Sequence, residues 1–205
     1  MSPSRRDAAG LALRLALWLP LLLWAAWRWG WHYGQFFLPL YRAVLELALP
    51  GFGVVRFHIA HTHEFVFEAQ VIAERMLVME GRVLPSGFTI DVHTPMYLAL
   101  THPVILAAAA LAWPGLTWRA RLLRLALSLP FLFLLEALDV PLVLASSIND
   151  LLTYSLNPGA DAASRLVDWV RVLDGGGRFA LSLAAALAVA GVHDWIHQRR
   201  RASSA

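Results

Sequence analysis

The 205-residue chain is 59% hydrophobic and 15% charged, has a formal net charge of +3 at pH 7, and carries nine tryptophans and no cysteine. That much apolar and aromatic surface exceeds what a soluble domain normally buries or exposes, so the expected class is an integral membrane protein, mainly α-helical. Without cysteine there is no disulfide, thiolate metal ligand or thiol nucleophile. All the positive charge is arginine, a bias that points to a GC-rich bacterial genome. It sits at the ends of apolar runs, where topogenesis and anionic lipid explain it, so nucleic acid is not expected as a partner.

Four apolar runs cover roughly residues 11–29, 95–113, 122–146 and 179–192, and about twenty apolar residues suffice to cross a bilayer as a helix. Nine of the seventeen arginines border them at three places: Arg5, Arg6 and Arg14; Arg119, Arg121 and Arg124; Arg199, Arg200 and Arg201. If all three places face the cytoplasm, four spans obey the positive-inside rule with both termini inside. The segments then left outside, 30–94 and 147–177, hold six arginines against ten carboxylates. The expected location is a bacterial inner membrane, multi-pass, with the lipid bilayer as the first partner.

In chain order, the first run is broken by Arg14 and Pro20, and no small-residue cleavage pattern follows it. It therefore reads as a span rather than a signal peptide. Trp24, Trp27, Trp29, Trp31 and Tyr33 form an interfacial belt. Beyond Gly34, the residues Phe36, Phe37, Leu40, Val44 and Leu47 predict a second, surface-lying helix, with Arg42 and Glu46 paired one turn apart and Pro50-Gly51 at its end. From 53 to 92 the period changes to two. Runs at 54–60 and 64–72 are expected to pair antiparallel, with Phe65 and Phe67 on one buried face. Further runs at Met76–Val83 and Phe88–Val92 are separated by Glu80-Gly81 and Pro85-Ser86-Gly87 turns. The whole is a small extracytoplasmic β insertion of three or four strands within one membrane domain spanning 1–205.

The third run contains Glu136 and Asp139, spaced to lie on one helix face and flanked by Pro130 and Pro141. A charged carboxylate costs roughly 2.5–3.5 kcal/mol at mid-membrane, so each must be paired, protonated or turned to protein or water. His102, in the adjacent antiparallel span, lies at the depth of Asp139, and a His102–Asp139 hydrogen bond is the expected link between the two spans. Glu136 has no evident partner at its depth. After Asn149, an Asn157-Pro158-Gly159 turn precedes a short amphipathic helix with Asp161 as N-cap and an apolar stripe of Ala163, Leu166, Val167, Val170 and Leu173. Gly175, Gly176 and Gly177 form a hinge before the last span. Arg28 and Arg178 sit against the charge rule, with Glu46, Asp174 or lipid phosphate as compensating groups.

One histidine cluster precedes the second strand. His61 and His63 point the same way on a strand and can chelate zinc or copper, with His93 the nearest third ligand. His58 has the wrong parity. A solvated strand edge is the competing reading, so no metal or other cofactor is assigned. No Ser-His-Asp motif or glycine-rich phosphate loop is present.

A long N-terminal helix with a tryptophan-rich end, a small strand region, Pro95-Met96-Tyr97-Leu98-Ala99-Leu100 opening a span, and Trp118-Arg119-Ala120-Arg121 in a short inner loop together resemble the exosortase-associated membrane proteins. The resemblance covers most of the chain through degenerate marks. Exosortases and archaeosortases are membrane transpeptidases whose catalysis is attributed to a cysteine, an arginine and a histidine. This chain has no cysteine, so the resemblance implies a non-enzymatic accessory or assembly role beside such a sorting enzyme, with no catalytic residues carried over. Two other readings follow from the residues themselves. One is a small transporter or proton-coupled subunit using Glu136, Asp139 and His102; the other is a metal-binding module at His61 and His63.

Overall fold

A computed structural model describes residues 5–61, 63–79, 82–156 and 165–202. The Asn157-Pro158-Gly159 turn, Asp161, Ala163 and the Glu80-Gly81 turn lie outside these residues. The chain is mainly helical with a small antiparallel sheet. Its elements run α1 (Arg5–Ala48), β1 (Phe52–His61), β2 (Phe65–Ala73), β3 (Leu77–Met79), β4 (Arg82–Leu84), β5 (Thr89–Pro95), α2 (Met96–Ala99), α3 (Thr101–Ala112), α4 (Trp118–Leu138), α5 (Val140–Leu156), α6 (Arg165–Val172) and α7 (Arg178–Ala202). Three helical stretches, Ala9–Ala48, Trp118–Ser155 and Arg165–Arg199, are long and apolar enough to cross a membrane, and Met96–Ala112 is a shorter apolar one. The chain divides into two compact units: residues 1–29, 100–135 and 178–205 form one, and 30–99 with 136–177 the other.

The expected strand pair is present. β1 and β2 are antiparallel with His58 opposite Glu68, Phe57 opposite Ala69 and a bulge between Val54 and Arg56. β5 pairs with the far side of β2, giving the order β1-β2-β5, while the segment expected as one third strand folds back on itself as a separate β3-β4 ribbon. Alternation decides which face is buried. Phe67, Ala69, Val71 and Ala73 are at most 1% exposed, and Ile90 and Val92 of β5 join them. Phe65 has the parity of this face but not its burial. It is 38% exposed at the first position of β2, beside the turn, where its ring lies 4.6 Å from that of His61.

The surface helix expected after Gly34 does not exist as a separate element, because α1 continues through Gly34 without a break. The glycine serves a close approach instead. A Cβ at Gly34 would stand 2.7 Å from Ile59 Cδ1, 3.1 Å from Met96 Sδ and 3.2 Å from Phe67 Cζ. With the hydrogen there, the second half of α1 lies on the sheet through Phe37, Tyr41 and Leu45, all buried and spaced at i, i+4. Tyr41 meets Phe67 edge-on at 5.2 Å and stacks on Phe37 at 5.9 Å. The helix ends where expected. Gly51, at φ 97°, takes the left-handed turn that admits β1, and the Arg42–Glu46 pair at 2.9 Å is also present, Arg42 donating in addition to the Val54 carbonyl.

In the same unit α5 packs on β5 and α6, burying Leu144, Ala145, Ile148 and Leu152. In the other unit α3 packs on α7, and both helices bury small residues: Ala108, Ala110 and Ala112 on α3, Ala185 and Ala190 on α7, with Ala110 lining one recess together with Val189. Small side chains let helix backbones approach closely. Outward-facing positions of this unit stay apolar, with Leu13 74% and Leu187 63% exposed.

The chain between α6 and α7 bends at a π-helical turn, Leu173–Gly177, where Gly176 has φ 103° and is not helical. The glycine run thus makes the expected hinge-like break.

Candidate functional site

The most constrained polar group is Glu136, near the end of α4. It is 0% exposed. Its two oxygens are each taken by a phenol of α1. Tyr33 donates to Oε1 at 2.5 Å, and the fully buried Tyr41 donates to Oε2. Tyr33 and Tyr41 are eight residues apart, two turns of one helix, so both hydroxyls project from a single face. Phe37 lies between them, 4.8 Å from Tyr33 and stacked on Tyr41, and fixes both rings. An ionised carboxylate accepts hydrogen bonds and donates none, and two phenols supply one donor to each oxygen. The expectation that Glu136 lacks a partner is therefore wrong. Its partners come from a helix about a hundred residues earlier, which spacing within the third run cannot reveal.

Asp139, three residues on, is 2% exposed and sits at the break between α4 and α5 rather than inside one helix. Pro141, as the second residue of α5, lacks the N–H that a continuous helix would require there. The interruption leaves carbonyls to be satisfied. Trp169 of α6 donates its indole N–H to the Leu138 carbonyl at 2.8 Å, and Val143 N–H reaches the Asp139 carbonyl at 2.9 Å. The short helix α6 is thereby tied to the carboxylate-bearing turn.

His102 belongs to the other unit and is 1% exposed. Its Nδ1 lies 2.8 Å from Ser182 Oγ on α7, and that hydroxyl donates to the Arg178 carbonyl at 2.7 Å. With the hydroxyl proton so committed, Nδ1–H is the donor to Ser182. The sequence gives no sign of this link between α3 and α7, because a lone serine in an apolar run is not distinctive. His102 and Asp139 fall in different units.

The histidine cluster does not assemble as a chelate. His61 closes β1 and His63 lies in the bend after it, whereas His93 is on β5 in the row His58–Glu68–His93 that crosses the sheet. The histidine sharing a row with His93 is thus His58, which parity within one strand had set aside. Among the described residues no group of three or more histidine, aspartate or glutamate side chains is close enough to hold a metal ion.

Comparison with protein-family models, curated proteins and solved structures finds no significant match.

Proposed function

We propose that this chain is a multi-pass protein of a bacterial inner membrane, with both termini cytoplasmic, serving as a non-enzymatic accessory or assembly component beside an exosortase-type sorting transpeptidase. The observation that carries this reading is the enclosure of Glu136. Both oxygens are occupied by phenols and the side chain is inaccessible, so the group is spent on joining α1 to α4. A relay or substrate site needs a face open to water or substrate. The absence of cysteine removes the nucleophile of the sorting enzymes, and the sequence marks at Pro95–Leu100 and Trp118–Arg121 supply the link to their associated proteins.

The rival reading is a proton-coupled subunit, and a carboxylate with two phenols is chemically able to pass protons. Complementation separates the two. In a host deleted for the gene, Glu136→Gln is expected to lower the amount of folded protein yet restore the phenotype at a permissive temperature. Folded Glu136→Gln protein at normal abundance that fails to complement would favour the transport reading.

A further inference from the structure

We propose that the recess between α3, α4 and α7 at Arg124 is a binding site for the phosphodiester of an anionic phospholipid. The recess is about 10 Å³, space for one oxygen atom, and is lined by Leu106, Ala110, Trp113, Arg124, Ser128 and Val189. Arg124 is 3% exposed, yet its Nε has no hydrogen-bond partner among the described residues. What compensates its charge is partial. Nη2 lies 3.3 Å from Asp194, whose side chain is 63% exposed, and the guanidinium stands 4.8 Å over the Trp113 ring. A solvated carboxylate and a ring face offset little of the cost of desolvating a cation.

Neighbouring groups raise the demand for an anion. Arg121, one turn earlier on α4, also has a buried Nε without a hydrogen-bond partner among the described residues, and His193, 3% exposed, turns Nδ1 to the same Asp194 at 3.1 Å, so that one carboxylate is shared between Arg124 and the imidazole. Arg14 donates to the Trp113 carbonyl at 3.3 Å and brings a further guanidinium to the same tryptophan. Donors outnumber acceptors here, and planar guanidinium groups fit the oxygens of a phosphate. The small recess admits one non-bridging oxygen while the rest of the headgroup stays at its mouth, and the Leu106, Ala110 and Val189 wall suits the adjoining hydrocarbon. Basic pockets between membrane helices are typical sites for anionic headgroups.

The inference depends on membrane residence but not on the accessory role. The test uses the purified full-length protein in mild detergent, with lipid retention measured by native mass spectrometry. Wild type is expected to retain phosphatidylglycerol in preference to phosphatidylcholine, without displacement by millimolar inorganic phosphate. Arg124→Lys, which loses the planar fork, should weaken retention about tenfold, and Ala109→Val, which narrows the recess at a half-buried residue of its wall without changing charge, should do the same. Arg119→Lys, at an exposed arginine on the same helix, should leave retention unchanged. Equal retention of both lipids, or both recess variants binding like wild type, would overturn the site. Displacement by inorganic phosphate would overturn the lipid as its source. If Arg124→Lys does not fold, Ala109→Val decides. Release of the chain from membranes by alkaline carbonate would instead remove membrane residence itself, a failure distinct from an embedded protein with no lipid preference.

Discussion

At the residue scale, burial turns a few polar contacts into the most sensitive positions. Hydrogen bonds to a charged group contribute about 1.5–3 kcal/mol, and removing one partner leaves the other desolvated. Tyr41→Phe should therefore destabilise the detergent-solubilised protein by about 1–3 kcal/mol. Glu136→Gln should cost a similar amount, because an amide presents one acceptor and one donor where two acceptors are needed. The double variant should lose less than the sum, the non-additivity of side chains in contact. Additive losses in thermal melts would show that the phenol and the carboxylate do not interact. Gly34 offers a steric test. Gly34→Val should cost about 1–3 kcal/mol by overpacking, and Ile59→Ala, which clears the nearest atom, 2.7 Å from a Cβ at that position, should recover part of it. The sequence made Asp139 and Glu136 visible as costly carboxylates, since burial of charge is legible wherever charge interrupts an apolar run. It did not show what satisfies Glu136. Tyr33 reads equally well as part of an aromatic belt, and Tyr41 as one more residue of an amphipathic helix.

At the element scale, period was the reliable signal and punctuation the unreliable one. Alternation placed β1 and β2 to within two residues at each end, because side chains on a half-buried strand must alternate. Glycine misled at position 34. The same residue that ends a helix can sit inside one where another backbone layer comes close, and only the tertiary contact with Ile59, Met96 and Phe67 distinguishes the two. Phe65 misled for a related reason, since parity assigns a face but cannot say where the covering layer stops. The turn at Asp139 makes its own prediction. Trp169→Phe keeps the ring but loses the indole donor to Leu138, and should cost about 1 kcal/mol. Hydrogen exchange at residues 138–143 and 165–172 should accelerate together; unchanged exchange in α6 would show that the bond does not hold it. At Gly176, whose φ is 103°, Ala should cost about 1 kcal/mol or more through backbone strain, measured as a lower melting temperature.

At the scale of the whole molecule, the arginine distribution is the feature that organises the chain. It predicts that reporters fused after residue 117 and at the C-terminus report cytoplasm, while fusions near residues 60 and 160 report the other side. A non-cytoplasmic signal at 117 would contradict that threading. Since the chain has no cysteine, single cysteines introduced at the same places give a second reading by accessibility to an impermeant thiol reagent, free of background. The accessory role is tested most directly by gentle affinity purification of the tagged full-length protein from native membranes, with its partners identified by mass spectrometry. The account predicts stoichiometric recovery of a membrane transpeptidase carrying the cysteine that this chain lacks. Recovery of transport subunits, or of the chain alone under conditions that preserve other membrane complexes, would contradict it.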